Sequence, residues 1–151
     1  MEKTVRRALP VILVVALAAS QLVPVTRTNP PVEGEIRAPA PVRAVLRRAC
    51  YDCHSRETVW PWYSRIAPAS WLVAHDVSEG RAKLDFSAWD RLDAGHRAKA
   101  IRKIQKEIAD GEMPPWYYGI VHRAAALSAD DRAKLREWAA GALPGADGGG
   151  G

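Results

Sequence analysis

The chain has 151 residues, 48% of them apolar, and its 22 basic and 17 acidic side chains give a formal charge of +5. Beyond a hydrophobic N-terminal run about 125 residues remain, enough for one compact domain and too few for two of ordinary size. Glu2, Lys3, Arg6 and Arg7 account for +2 of the charge, and the +3 left on the remainder is too mild to argue for nucleic acid.

Lys3, Arg6 and Arg7 precede a run that is apolar from Ala8 to about Val25, broken by Ser20 and Gln21. A basic start followed by an apolar run is the pattern of an export signal or a membrane anchor. Ala16-Leu17-Ala18 resembles a small-residue cleavage site. Left uncut, a helix of about 18 residues would rise about 27 Å, close to the thickness of the hydrocarbon core. The expectation for residues 1–25 is therefore an inner-membrane anchor, with the rest of the chain extracytoplasmic, in the periplasm. Residues 26–41 are Pro-rich and read as an extended linker without a helical apolar face.

Val42, Val45, Leu46 and Ala49 then follow helical spacing, with Arg43, Arg47 and Arg48 turned elsewhere. This helix leads into Cys50-Tyr51-Asp52-Cys53-His54, which holds both cysteines of the chain. Two thiols three residues apart share one side of a helical turn, and a residue four along from the first lies beside them. Cys50 and Cys53 are thus spaced to form thioethers with the two vinyl groups of one haem c, while His54 meets the iron from the same side. Three other uses compete. A redox dithiol expects a βαβ context, a zinc site needs a fourth ligand from elsewhere, and a structural disulfide seldom has such tight spacing. An extracytoplasmic compartment, where free thiols oxidise, favours a use for both.

Ser70 to Lys83 is a second helix by pattern. Ala94 to Asp110 is a third, with Ile101, Ile104 and Ile108 on one face and Gly111 as its stop. A last helix starts at Ser128, capped by that side chain with Asp131 at the third position, and buries Leu135, Trp138 and Ala139. Residues 141–151 form a Gly-rich tail expected to be disordered. No alternating run long enough for a sheet appears, so residues 42–140 are predicted to form an all-α domain.

A second iron ligand separates electron transfer from catalysis. Met113 in Gly-Glu-Met-Pro-Pro-Trp-Tyr-Tyr leads, because a thioether suits low-spin haem and the prolines hold its loop rigid. His75, in the second helix, and His122, after the methionine loop, are the alternatives; filling a core gap is the ordinary role of a methionine. Trp60, Trp62 and Tyr63 follow the haem motif, and Trp116, Tyr117 and Tyr118 follow Met113. All six are candidate walls of a haem crevice, Trp60, Trp62, Trp116 and Tyr117 foremost, with Arg65 as a charge for its propionates, against plain core filling. The basic run Arg97, Lys99, Arg102, Lys103 and Lys106 reads first as a solvated helix face, and second as a surface that steers an acidic partner or anionic lipid.

A haem motif near the start of an all-α domain, followed about sixty residues later by a Met-Pro loop and a final helix, resembles a small class I cytochrome c. The strings from Arg27-Thr28-Asn29 through the haem motif and Ser70-Trp71-Leu72 to the methionine loop and the last helix are similar to the bacterial haem-binding domain family. That resemblance implies haem binding by Cys50, Cys53 and His54, and it names no substrate. The expected function is single-electron transfer between extracytoplasmic redox partners of unknown identity. A haem peroxidase or small-ligand sensor with an open distal site is the alternative, and a non-redox assembly module comes third.

Overall fold

The computed structural model describes residues 2–143, and among them there are seven α-helices and no strand. Helix α1 covers Glu2–Ser20. Its apolar stretch begins only at Ala8, and the helix closes at Ser20, whose Oγ donates to Leu17 O at 2.7 Å before the chain turns through Gln21 and Leu22. The apolar helical length is therefore about 13 residues, or about 20 Å, short of a hydrocarbon core of about 30 Å. No helix among the described residues is long and apolar enough to cross a membrane, which corrects the expected transmembrane anchor. The end of α1 instead meets the domain: Gln21 donates through Nε2 to Ala67 O at 3.1 Å and accepts from Ala67 N at 3.0 Å.

Residues 24–39 have no regular secondary structure, in keeping with their prolines, yet they are fastened along their length. Arg27 donates to Ser64 O, Asn29 to Thr58 O and Glu33 N to Ser87 O. Glu33 also pairs with Arg56 and Arg91, and Ile36 is buried in the core at 2% exposure. Pro-rich composition thus dictates the extended backbone, and specific partners dictate where it lies.

Helix α2 spans Ala40–Ala49 and buries Val42, Val45, Leu46 and Ala49, the stripe its spacing implies. It does not run on through the haem motif. Cys50 takes φ −130°, and the chain restarts as the single turn α3, Tyr51–His54, closed by His54 N donating to Cys50 O at 2.9 Å. Helix α4 is Ala69–Lys83 and α5 is Ala94–Asp110, capped by Asp93, which accepts from His96 N. Helix α7 is Ala129–Gly141 and carries a complete capping box between Ser128 and Asp131. The short helix α6, Trp116–Val121, lies in what the sequence suggested was loop.

The core gathers Leu46, Tyr51, Phe86, Trp89, Ile101, Ile104, Ile108 and Leu135 with Ile36. Helix α7 packs on both α2 and α5, and α3 packs on α4. Leu135 and Ala139 are buried in α7 as expected, with Trp138 half-buried against them. Gly141 is still helical, and residues 144–151 of the expected tail lie outside the described residues. The haem motif is thereby held between α2 and α4, at the edge of the core.

Candidate functional site

A cavity of about 380 Å³ opens between α3, α4, α5 and the methionine loop. Cys50, Cys53, His54, His75, Met113 and Tyr117 all line it, together with apolar Ala49, Phe86, Ile104 and Ile108. Residues separated by more than sixty positions in the chain thus meet at one space. Its size falls in the usual range of small-molecule sites, about 300–1,000 Å³.

His54 is the most constrained group there. Its Nδ1 lies 3.0 Å from both Gly80 O and Leu84 O, near the end of α4. Carbonyl oxygens only accept, so Nδ1 carries the proton and Nε2 keeps its lone pair for a metal. Burial pushes the His54 pKa down against the pull of those two carbonyls, which favours the neutral, ligating ring. Phe86, 2% exposed, packs against the ring with centroids 5.9 Å apart and limits its rotation.

The close approach of α4 requires a glycine. A Cβ on Gly80 would come within 2.4 Å of Cys53 O and 2.9 Å of its carbonyl carbon. With only hydrogen there, the helix sits directly on the haem turn and its carbonyl reaches His54. The sequence signal was present, since a glycine inside a helical pattern asks for a packing reason, but neither Gly80 nor Leu84 was singled out.

Both cysteines are half-buried and unpaired. Burial, with the neighbouring Cys53 as a smaller cause, pushes the Cys50 thiol up to about 12. Burial, with Asp76 and Asp52 nearby, does the same to Cys53, also to about 12. They therefore stand as neutral thiols in a largely apolar wall, unlike the low-pKa thiolates of redox dithiols.

Met113 reaches the cavity through the C-terminal cap of α5. Gly111 adopts φ 77°, and the N–H groups of Glu112 and Met113 both point to Glu107 O, at 3.0 and 3.3 Å. This left-handed turn reverses the chain and sets Met113 and Pro114 against the cavity. His75 is exposed on the cavity wall in α4.

His122 is placed elsewhere. Its Nε2 is 2.6 Å from Tyr63 Oη, and its ring stacks on Tyr118 at 4.2 Å. Tyr118 lines the cavity and donates to Asp52 Oδ2 at 2.6 Å, a bond that ties α6 to the haem turn; burial first, and that carboxylate second, push its phenol pKa up. Asp52, inside the motif, also accepts from Val59 N. The sequence placed Tyr118 among the candidate crevice walls and gave Asp52 no role.

Trp60, Trp62, Arg65 and Trp116 do not line the cavity. Trp62 and Trp116 are 75% and 78% exposed, each set edge-on to the following tyrosine, which takes the inner position. Trp60 donates to Asn29 Oδ1, and Arg65 is exposed in a 3-10 turn. The charges that do reach the cavity include Lys83 and Lys103, the latter from the basic face of α5, alongside Asp76, Glu79 and Glu107. Tyr117 fixes one of these by donating to Asp76 Oδ2 at 3.0 Å.

The donor set fits a haem: two unpaired thiols, an imidazole whose outer nitrogen has no hydrogen-bond partner among the described residues, a thioether and apolar side chains, all on one cavity. No group of three or more His, Cys, Asp or Glu among the described residues is arranged to hold a bare metal ion, so a zinc centre has no ligand set. Neither curated proteins nor solved structures provide a match to the chain. The haem-binding domain family matches residues 14–141, a span that contains every residue of the cavity wall, and the chain belongs to that family.

Proposed function

We propose that the protein carries one haem c and passes single electrons in the extracytoplasmic space. In this reading Cys50 and Cys53 would hold the haem through thioethers, each S–H adding across one vinyl group, while His54 Nε2 and the Met113 sulfur would be the iron ligands. Bound haem supplies a one-electron iron couple. The chain's own residues bind it, keep the His54 tautomer fixed and exclude water with Phe86, Ile104 and Ile108.

The observation that carries the reading is the meeting of Cys50, Cys53, His54 and Met113 on one cavity, with no hydrogen-bond partner for the His54 outer nitrogen among the described residues. The N-terminal sequence supports export: a basic start and about 13 apolar helical residues match the central region of a signal peptide better than a span. The redox partners are proteins of unknown identity.

Protein produced in a haem-attaching host should gain the mass of one haem and give a pyridine haemochrome spectrum of thioether-linked haem. A mass equal to that of the bare polypeptide would sink the proposal. Met113→Ala should lower the reduction potential and alter the reduced spectrum, because a thioether ligand raises the potential. A second reading, a labile distal position open to peroxide or a small gas, draws on His75 and the Tyr117–Asp76 pair on the same wall. A high-spin resting spectrum with peroxide turnover would select it.

A further inference from the structure

Arg81, next to Gly80 in α4, is half-buried and has no carboxylate partner among the described residues. Its guanidinium donates from Nε to Ser55 O at 2.7 Å, from Nη1 to Thr28 O at 2.8 Å, and from Nη2 to Asn29 Oδ1 and Thr58 Oγ1 at 2.9 and 2.8 Å. Burial pulls its pKa down, so the charge is held at a cost that ordinary surface arginines do not bear. A planar fork spends four donors to join three separate segments.

Those segments are the end of α4, the loop leaving the haem turn and the extended lead. The loop is itself bound to the motif, because Thr58 Oγ1 donates to Asp52 O at 2.7 Å. Asn29 is fixed in turn, donating to Thr58 O at 2.9 Å. Gly80, adjacent to Arg81, and Leu84, three residues on at the end of α4, supply the two carbonyls that bind His54 Nδ1.

We propose that Arg81 and Asn29 are positioning residues for the proximal haem ligand: their clamp sets how closely α4 sits on the haem turn, and thereby fixes the His54 tautomer and ring plane. The inference rests on His54 as iron ligand. It gives the extended lead a part in the site, although no lead residue touches the cavity. Lysine cannot substitute, because one ammonium with three donors cannot reach four acceptors spread over the loop and the lead.

The test uses the full-length holoprotein, with Arg81→Lys, Asn29→Ala and a control, Glu33→Ala, which releases the lead from Arg56 and Arg91 but touches none of the four Arg81 bonds. Two quantities are read: hydrogen exchange of the His54 Nδ1 proton and the g-values of the ferric haem. Arg81→Lys should speed the exchange by about tenfold, the scale of one lost hydrogen bond, and shift the g-values. Asn29→Ala should do the same to a smaller degree, and it decides the matter if Arg81→Lys does not accumulate. Glu33→Ala should lower the melting temperature with both quantities unchanged. Lowered melting temperature in the Arg81 and Asn29 variants, with wild-type exchange and g-values, would overturn the proposal. Failure of the wild type to attach haem overturns the ligand reading itself and is seen before any variant is compared.

Discussion

Gly80→Ala sets two physical effects against each other with opposite signs. Inside a helix, alanine is favoured over glycine by about 0.8–1.0 kcal/mol, so propensity alone says that the variant is more stable. The added Cβ, however, would lie 2.4 Å from Cys53 O, which is backbone of the haem turn and cannot swing aside. Forcing a methyl into a packed contact costs about 1–3 kcal/mol. Moving α4 outward also stretches the bonds from His54 Nδ1 to Gly80 and Leu84, a further cost of about 0.5–1.5 kcal/mol. The expected balance is a loss of roughly 1–3 kcal/mol, which at about 4 °C per kcal/mol lowers the melting temperature by roughly 4–12 °C. Urea melts of the haem-loaded protein, read as a midpoint change at constant slope, measure it. Gly119→Ala in α6 is the matched control, since nothing lies within 4 Å of its added Cβ, and it should be neutral or slightly stabilising. A Gly80→Ala protein that is as stable as the wild type, or more so, refutes the close-approach argument.

Other expectations follow from single contacts. His122→Gln should leave the haem absorption spectrum unchanged, because the His122 ring is bound to Tyr63 and Tyr118 outside the cavity; loss of a low-spin spectrum would show it to be a ligand after all. Trp62→Ala should change stability by no more than about 0.5 kcal/mol in a denaturant melt, as its ring is mostly exposed. Asp131→Asn should cost about 1–2 kcal/mol, since its carboxylate completes the cap of α7 and meets Arg48 at 2.8 Å. Hydrogen bonds from Ser128 hold the Asp131 pKa below its ordinary value of 3.8. Its contribution is therefore present above pH 3.8 and lost as pH falls through the depressed folded value, so an acid titration of the wild type should lose a stability increment that Asp131→Asn lacks.

Much of the architecture was legible in short stretches of chain. The stripe in α2, the isoleucine face and glycine stop of α5, and the Ser128–Asp131 cap of α7 depend on residues at most a few turns apart. Where reading by pattern went astray, the deciding contacts were distant. The apolar run was expected to continue helical to Val25, but the helix ends at Ser20 and Gln21 turns to bind Ala67. The aromatic clusters were expected to wall a crevice, yet periodic spacing does not say which of two adjacent rings faces inward; Tyr117 and Tyr118 do, and Trp116 does not.

The sequence alone determined that two thiols and an imidazole share one helical turn, because a spacing of three and four residues fixes a common face whatever surrounds it. Tertiary structure decided what that turn can do. Only packing brings Met113 to the same cavity, leaves the tryptophans outside it, and lays Gly80 against Cys53 so that a carbonyl twenty-six residues away selects the His54 tautomer. These depend on the distance of approach between α3 and α4, a property of the packed core and of the lead strapped across it, which no local pattern encodes.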